Sequence, residues 1–389
     1  MDTIQEKHIL SGKHIIVAGA GIGGLTFCIA LQRFLENHNR EINPPPNIVI
    51  YEREESMDVI GRQGYSLSIR SDPLSGGVQI LQKLDLLNEI LAESNPGTHF
   101  TVFKNDFTPL IEFRSPPVED LSQLTLCIAQ LEDGKVLVTL SDGHQEQCDL
   151  LVAADGSNSK VRRELLPQHE LRFACAVSIV ARTRPLNKLP QPLDTTWGSV
   201  LGGNGHFLFI APTDQTSALW SVSYLSDTPC KPKPAGTMSD AEIEQVLADA
   251  EQRLRPFCEP IPTLFKETLH SSVAVTNAKD MMPFRNHGSA IFIGNAQHAM
   301  SPFSGNGASM AVIDGYQLAE QLILAKNLSA AIQAYDDLSV PRSTTAIKMS
   351  HRNIAMGHSQ GIWKHLWVLT LKLIAWYFGF NPKPVENRT

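Results

Sequence analysis

Cysteine is scarce in this sequence and is never clustered. Its six cysteines are far apart, and none stands in a C-x-x-C pair. Paired cysteines and regular His/Cys spacing mark structural zinc sites and dithiol redox sites, so the pattern argues against both and signals no metal. We expect buried thiols and a reducing compartment. The cysteines are Cys28, Cys127, Cys148, Cys175, Cys230 and Cys258.

An excess of charge of either sign is also missing. Charged residues make up 19% of the chain, the formal net charge is -7 and the pI is about 6.0. Proteins that bind phosphate backbones concentrate basic charge, so we expect no nucleic-acid partner. The first residues, MDTIQEKHIL, have neither the basic start nor the apolar core of a secretory leader. These features predict a cytoplasmic protein.

Long apolar runs are lacking, although one C-terminal segment comes close. Residues 362–380 (IWKHLWVLTLKLIAWYFGF) are apolar and aromatic, interrupted by Lys364, His365 and Lys372. A spanning helix needs about 20 apolar residues, and lysine near its centre is costly. The segment favours a helix packed on the body of the protein. An amphipathic helix in peripheral contact with a membrane is the alternative, and full insertion is least favoured.

What the sequence does contain is a strand, turn, helix unit near its start. The apolar strand HIIVA runs directly into a glycine cluster and then into LTFCIALQRFLE, which has helical periodicity. The prolines of EINPPPN end the helix and lead to a second strand, NIVIYE. Two further apolar strands, CDLLVAA and SAIFIGNA, complete the pattern of a parallel sheet.

Alternating segments between these strands predict a second, antiparallel sheet that faces the substrate. In ALWSVSYLS, Trp220, Val222 and Tyr224 share one face of a strand. Trp220 and Tyr224 then either line an aromatic pocket or pack in the core. The fold class is therefore α/β: a Rossmann-like cofactor-binding domain with a parallel sheet, interrupted by a smaller antiparallel-sheet substrate domain and followed by C-terminal helices. The predicted cofactor-domain segments are 13–75, 121–170 and 284–330, the substrate-domain segments are 76–120 and 171–283, and the C-terminal helical region is 331–389.

The glycine cluster Gly19-Ala20-Gly21-Ile22-Gly23-Gly24 gives a GxGxxG pattern between a strand and a helix. Glycines there permit a tight turn, close approach of a pyrophosphate and close helix packing. Glu52, at the end of the second strand, stands where an acid accepts hydrogen bonds from ribose hydroxyls. Strand, glycines, helix, strand and acid in this order predict a bound adenine dinucleotide.

Two later motifs separate NAD from FAD. Asp155-Gly156-Ser157-Asn158-Ser159-Lys160-Val161-Arg162 follows its strand directly as DGxxSxxR, although an ordinary Asp-Gly turn is the alternative. Further on, GNAQHAMSPFSGNG (294–307) again places glycines before a helix. The first N–H groups and the dipole of that helix can stabilise negative charge on a reduced flavin ring.

Together the three motifs, in this order over about residues 13 to 345, make the chain resemble the FAD-dependent aromatic-hydroxylase-type monooxygenases. These include the tetracycline-modifying monooxygenases and fungal enzymes that tailor secondary metabolites. The resemblance implies FAD as cofactor, NAD(P)H and O2 as co-substrates, and hydroxylation or epoxidation of an apolar or aromatic small molecule. It also implies cofactor contacts at Gly19, Gly21, Gly24, Glu52, Gly64, Asp155, Asn295, Gly305, Gly307 and Ala308.

The sequence departs from the family pattern at two places. The family has an aspartate that holds the ribityl chain where this chain has Asn295. A hydrogen bond to a charged group contributes about 1.5 to 3 kcal/mol and a neutral one about 0.5 to 1.5, so the change predicts roughly tenfold weaker FAD binding. The family also has an arginine-bearing helix before the DG motif, yet residues 115–161 contain no arginine. Arg114 is the nearest substitute.

Residues that would act on the substrate are fewer. Arg182 is predicted either to activate a phenolate or bind an acidic group, or to be a solvated strand-end arginine, and Tyr224 is the second candidate catalytic residue. His298 and Pro302 are expected to shape the flavin pocket. Two rival functions stay open: a flavin-dependent dehydrogenase or desaturase, and a degenerate noncatalytic protein that keeps the flavin fold.

Overall fold

The structure is a computed structural model that describes residues 7–37, 42–52, 69–71, 74, 76–92, 99–113, 127–130, 136–139 and 144–382. Within these ranges the strands are β1 (His14–Ala18), β2 (Asn47–Tyr51), β3 (His99–Lys104), β4 (Pro109–Phe113), β5 (Cys127–Gln130), β6 (Val136–Thr139), β7 (Gln145–Cys148), β8 (Leu150–Ala153), β9 (Arg172–Arg182), β10 (Thr196–Leu201), β11 (His206–Pro212), β12 (Ala218–Leu225), β13 (Ala274–Asp280) and β14 (Ala290–Phe292). The helices are α1 (Ile22–Asn37), α2 (Gly77–Lys83), α3 (Leu87–Ala92), α4 (Lys160–Leu165), α5 (Asp240–Leu254), α6 (Ile261–Lys266), α7 (Asn295–His298), α8 (Gly307–Leu324), α9 (Leu328–Gly357) and α10 (Gly361–Phe378), with 3₁₀ turns at His270–Ser272 and Pro302–Ser304.

A four-stranded parallel sheet in the order β14-β8-β1-β2 forms the centre of the first layer. Apart from His14, the residues of its inner strands β1 and β8 are apolar, as expected when helices and other segments cover both faces. Helices α1 and α8 pack on one face, where Phe27, Leu31 and Leu318 are buried. Because the strands are parallel, the three sequence motifs follow strand ends on the same edge of this sheet.

A seven-stranded sheet in the order β13-β9-β12-β11-β10-β3-β4 forms the second layer, which we call the large sheet. Its strands pair antiparallel except β10 with β3, which pair parallel. One face buries its apolar side chains against α5 and α6. The other face contacts α9, α10 and the Pro302–Ser304 turn. The predicted fold class, a parallel sheet combined with an antiparallel one and C-terminal helices, is confirmed; the domain boundaries stay predictions.

The cysteines only partly follow expectation. Cys148 is buried and Cys28 and Cys230 are half-buried, but Cys175 and Cys258 are exposed. The expectation of buried thiols is therefore wrong for these two. Cys175 lies at a positive-φ irregularity near the start of β9, and Cys258 lies in the loop after α5, so neither belongs to a packed element face.

Candidate functional site

The glycines of the first turn have different neighbours. A Cβ built on Gly19, whose φ is +122°, lies 2.3 Å from the carbonyl oxygen of Ala154, and one on Gly24 lies 1.7 Å from the carbonyl oxygen of Gly19. A Cβ on Gly21 meets nothing within 4 Å. Gly19 and Gly24 are thus required by packing between the strands and α1, whereas Gly21 borders open space beside the N-terminus of α1. That arrangement suits a pyrophosphate.

Glu52 lies beside this turn. The backbone N–H of Gly19 donates to the carbonyl oxygen of Tyr51 at 3.3 Å, which brings the end of β2 next to the end of β1. Glu52 directly follows Tyr51 and is exposed. The structure therefore brings Gly19, Gly21 and Glu52 together at one edge of the sheet, and their contact with a cofactor stays a prediction.

The DG turn places the carboxylate of Asp155 at the same edge of the sheet. Oδ2 of Asp155 accepts from the backbone N–H of Lys160 at 2.8 Å and of Val161 at 3.3 Å. Oδ1 is buried and has no hydrogen-bond partner among the described residues. Burial raises the pKa of Asp155 against the opposing effect of these hydrogen bonds. Gly156 has a φ of +78°, and a Cβ there would enter open space.

Arg162 joins the second motif to the third. Its buried guanidinium donates to the carbonyl oxygens of Ser157 at 2.6 Å and Ala296 at 2.8 Å, with a longer contact to Asn295 at 3.4 Å. Burial lowers the pKa of Arg162, and Asp155 opposes that shift. Arg162 is the arginine of the DGxxSxxR motif, but the motif does not predict that its side chain joins the second motif to the third.

The third motif turns sharply at Gly294, whose φ is +55°. Asn295 begins α7, and its side-chain Oδ1 is buried without a hydrogen-bond partner among the described residues. A buried polar atom normally has a partner, so an orphaned acceptor in a predicted cofactor site fits a ligand hydroxyl. Asn295 and Asp155 thus present two orphaned acceptors on adjacent strand ends.

The glycine-rich loop before α8 completes the site. Gly305 has a φ of +63°, and a Cβ on Gly307 would meet nothing within 4 Å. Gly307 and Ala308 form the start of α8, an 18-residue helix whose first turn points its N–H groups toward that open space. Gly305, Gly307 and Ala308 therefore lie where a planar ring can approach backbone closely.

A buried carboxylate supports the turn at Gly294 and α7. Asp314, fully buried in α8, accepts from the backbone N–H of Gly294 at 2.9 Å and shares a 2.5 Å hydrogen bond with Nε2 of His298. Its other oxygen accepts from Arg342 at 2.6 Å. Burial opposes ionisation, but His298 and Arg342 outweigh it and lower the pKa of Asp314 to about 2. His298 is buried and Pro302 is exposed; His298 acts here as a structural partner.

Sequence reasoning missed Asp314, Arg342 and Arg70. An aspartate on the apolar face of GASMAVIDGYQLAEQLIL is a readable signal, because an unpaired buried charge is costly. Arg70 carried no such signal. Its backbone N–H donates to Oγ of Ser309 at 2.8 Å, and its guanidinium donates to the carbonyl oxygen of Ser304 at 3.2 Å. Arg70 thus places a cation on the glycine-rich loop.

The large sheet contacts this loop through Phe207 and Phe303, whose rings stack at 5.9 Å. Side chains alternate along strands, so the face that carries Phe207 also carries Phe209 on β11. Phe209 pairs with Ser221 on β12, and Ser221 pairs with Val180 on β9. Phe209, Ser221 and Val180 are half-buried, and Trp197 packs edge-on to Phe209 at 5.8 Å. We call these four residues the aromatic floor.

The two candidate catalytic residues lie on opposite faces of the large sheet. Arg182 follows Val180 by two residues on the floor side, and its guanidinium lies 3.8 Å from Asp214. Tyr224 lies on the α5 side, with the guanidinium of Arg253 at 3.5 Å from its ring centroid, and burial raises the pKa of its hydroxyl. Trp220 is buried on that same side and donates from Nε1 to Thr268 at 3.0 Å. Of the two alternatives for Trp220, the structure has the core position.

Some predicted positions lie outside the described residues. These are Gly64, the substitute Arg114, and the stretch 115–126 where the arginine-bearing helix is missing from the sequence. A cavity of about 310 Å³ borders Tyr224, Lys231 and Asp249 on the α5 side. It is separated from the aromatic floor by the sheet itself.

The chain is similar to known proteins in sequence and in fold. Residues 120–351 match the family described as FAD binding domain. The chain is 31% identical over 397 residues to the monooxygenase cfoF of Aspergillus candidus, covering 92% of this chain and 94% of that protein. It is 26% identical over 367 residues to the aurachin C monooxygenase/isomerase of Stigmatella aurantiaca, covering 88% and 89%. The structure of Klebsiella pneumoniae HpxO complexed with FAD and uric acid has a TM-score of 0.72 at 18% identity, covers 94% of each chain, and so shares the fold.

Proposed function

Because the chain belongs to the FAD-dependent monooxygenases that carry this FAD binding domain, we propose that it uses NAD(P)H and O2 to hydroxylate or epoxidise an apolar or aromatic small molecule. The observation that carries the proposal is the placement of the glycine-rich loop opposite the aromatic floor, linked by the Phe207–Phe303 stack. In this arrangement the backbone of the glycine-rich loop, which can bind a planar ring, lies on one side, and the apolar surface of the aromatic floor lies on the other.

FAD would be held along the strand ends of the parallel sheet. Gly21 and the N-terminus of α1 would take the pyrophosphate, and Glu52 the adenosine ribose. The orphaned oxygen of Asn295 would accept from a ribityl hydroxyl, and Gly305, Gly307 and Ala308 would face the ring. When bound, FAD would supply the redox chemistry of the reaction, in which NAD(P)H is the reductant, one oxygen atom of O2 enters the substrate and the other leaves as water.

The protein's own contribution is electrostatic and positional. The N-terminus of α8 and the guanidinium of Arg70 bring positive potential to the same loop, which stabilises negative charge on a nearby ring. Asp314 fixes the turn that carries Asn295 through the N–H of Gly294. These contacts preorganise the site before any ligand arrives.

The substrate would lie on the aromatic floor. Trp197, Phe209 and Val180 offer apolar surface that excludes water, and Ser221 offers a hydroxyl. Arg182, at the floor's edge, would bind an acidic group or a phenolate oxygen of the substrate. Tyr224, with its ring against Arg253, would act through packing. We further propose a cytoplasmic enzyme of secondary-metabolite biosynthesis, a role supported by the family resemblance.

The test is oxygen transfer. Purified enzyme is screened with phenolic, polyketide and terpenoid compounds for those that accelerate NADH or NADPH oxidation, and products are then formed under isotopically labelled dioxygen. The proposal predicts one labelled oxygen atom in the product. An oxidised product that lacks the label, formed with substrate-stimulated turnover, would instead establish the dehydrogenase or desaturase alternative.

A further inference from the structure

The last described helix, α10, has one buried side. Leu371 and Ala375 are buried in a cluster with Leu201 and Phe207 of the large sheet. Nζ of Lys364 donates to the carbonyl oxygen of Gly202 at 3.0 Å near the start of the helix. These contacts fix the rotation of α10 about its axis and determine which side chains face outward.

The outward side of α10 is apolar and aromatic. Its exposed side chains include Trp376 at 73% and Tyr377 at 75%. The other large apolar side chains exposed on α10 are Ile362, Trp363, Leu366, Leu369, Leu373 and Phe378, and Phe380 is exposed just after the helix. Successive residues of a helix are rotated by about 100° about its axis. In order around the axis, the exposed side chains from Trp376 to Trp363 therefore span roughly 140° of the helix surface. An apolar surface of this extent marks a binding site for another molecule.

Charge and side-chain type identify the occupant. Residues 361–382 contain no aspartate or glutamate, although the whole chain carries a net charge of -7. Lys372 and His365 are exposed along one flank of the apolar surface. Tryptophan and tyrosine beside basic residues are typical of helices that lie in a membrane interface, where lysine contacts anionic headgroups.

We propose that this surface of α10 seats the enzyme on an anionic lipid bilayer, with the helix parallel to the membrane plane. Among the described residues we find no helix that could span a bilayer. A second copy of the chain fits less well, because an antiparallel α10 pair would set each Lys372 flank against the same flank of its partner. The inference rests on α10 alone and is independent of the proposed oxygen transfer.

The position of α10 gives the contact a consequence. Phe207 packs in the cluster beneath α10 and also stacks on Phe303 of the glycine-rich loop. A bilayer against α10 would therefore lie next to the layer that carries the aromatic floor. An apolar substrate dissolved in the lipid could then reach the floor without crossing bulk water.

The test is flotation of the full-length protein with two kinds of vesicle, phosphatidylcholine alone and phosphatidylcholine mixed with phosphatidylserine. Wild type is expected to float with the mixed vesicles and less with phosphatidylcholine alone. The double variant Ile362→Gln, Trp376→Gln should lower partitioning at least about tenfold. The matched control Leu324→Gln, Leu338→Gln, which changes exposed leucines on α8 and α9, should leave it unchanged.

Two further measurements make the outcome decisive. Lys372→Gln should weaken binding to the mixed vesicles only, by about fivefold. Quenching of tryptophan fluorescence by brominated lipid reports insertion of the wild type without any substitution. Wild type that neither floats nor is quenched overturns the proposal. So does a wild-type dimer, measured by light scattering, that the α10 double variant dissociates, because it would assign the surface to a second copy.

Discussion

Asp314 of α8 and His298 of α7 share a fully buried 2.5 Å hydrogen bond. The same carboxylate accepts from the N–H of Gly294 at 2.9 Å and from Arg342 at 2.6 Å. One side chain of α8 therefore ties together α7, α9 and the turn that carries Asn295. The turn that carries Asn295 is therefore held by a buried ion pair.

Removing the charge of Asp314 should destabilise the fold. In Asp314→Asn, Arg342 stays mostly buried without its counter-charge, and breaking a buried pair in this way costs about 3 to 5 kcal/mol. Urea unfolding measures the free energy. Asp337→Asn is the matched control, because Asp337 pairs with Arg285 at 2.7 Å in an exposed position and its loss should have no measurable effect. Equal effects of both substitutions would contradict the assignment.

The stabilisation by Asp314 should also depend on pH. The pKa of Asp314 in the folded protein is lowered to about 2, below the value of about 3.9 in an unfolded chain. The contribution is therefore fully present above about pH 4 and is lost as pH falls toward about 2. The gap corresponds to about 2 to 3 kcal/mol. The difference in unfolding free energy between wild type and Asp314→Asn should shrink over that interval; a constant difference would count against the ion pair.

Two glycines of the first turn should respond differently to substitution. Gly21→Val places its side chain in open space, so we expect unchanged thermal stability of the apoprotein but at least about tenfold weaker FAD binding. Gly24→Ala forces a Cβ against the carbonyl oxygen of Gly19, so it should destabilise the fold by about 1 to 3 kcal/mol or more. Melting curves and FAD titrations distinguish the two. Normal FAD affinity in a folded Gly21→Val protein would show that the pyrophosphate does not bind at this turn.

Asn295→Asp should tighten FAD binding by about tenfold. The buried Oδ1 of Asn295 becomes a charged acceptor for a ribityl hydroxyl, and Arg162 lies against the backbone of the same turn. Asn295→Ala is the control and should weaken binding. Isothermal titration gives both affinities. If aspartate weakens binding as much as alanine, the ribityl chain lies elsewhere.

Arg182 should affect substrate turnover and leave cofactor binding unchanged. Arg182→Met is expected to lower kcat/KM for a phenolic or acidic substrate by about tenfold or more, because it removes a hydrogen bond to a charged oxygen. Arg184→Met is the matched control, since Arg184 is exposed and pairs with Glu267 at 3.3 Å. Substrate-stimulated NAD(P)H oxidation provides the rates. The same loss in both variants would make Arg182 an ordinary surface arginine.

Local pattern predicted the parallel sheet and its turns, because a strand, glycines and a helix adjoin in sequence. The prediction that Gly19, Gly21 and Glu52 lie close together required only that β1 and β2 be neighbours in the sheet. The ion pair of Asp314 with Arg342 could not be predicted from the sequence, because it depends on how α8 and α9 pack. The alternation of side chains along a strand predicts which residues share a face with Arg182 or with Tyr224. It does not predict which face meets the glycine-rich loop, because that depends on the Phe207–Phe303 contact between distant segments.

The central claim is that these strand ends hold FAD despite Asn295 and the missing arginine helix. The most direct measurement is the absorbance spectrum of freshly purified protein, followed by titration with FAD while flavin fluorescence is recorded. We predict flavin absorbance bands and saturation at one FAD per chain. A colourless, folded protein that takes up no FAD at high micromolar concentration would contradict the claim and favour a degenerate, noncatalytic member of the family.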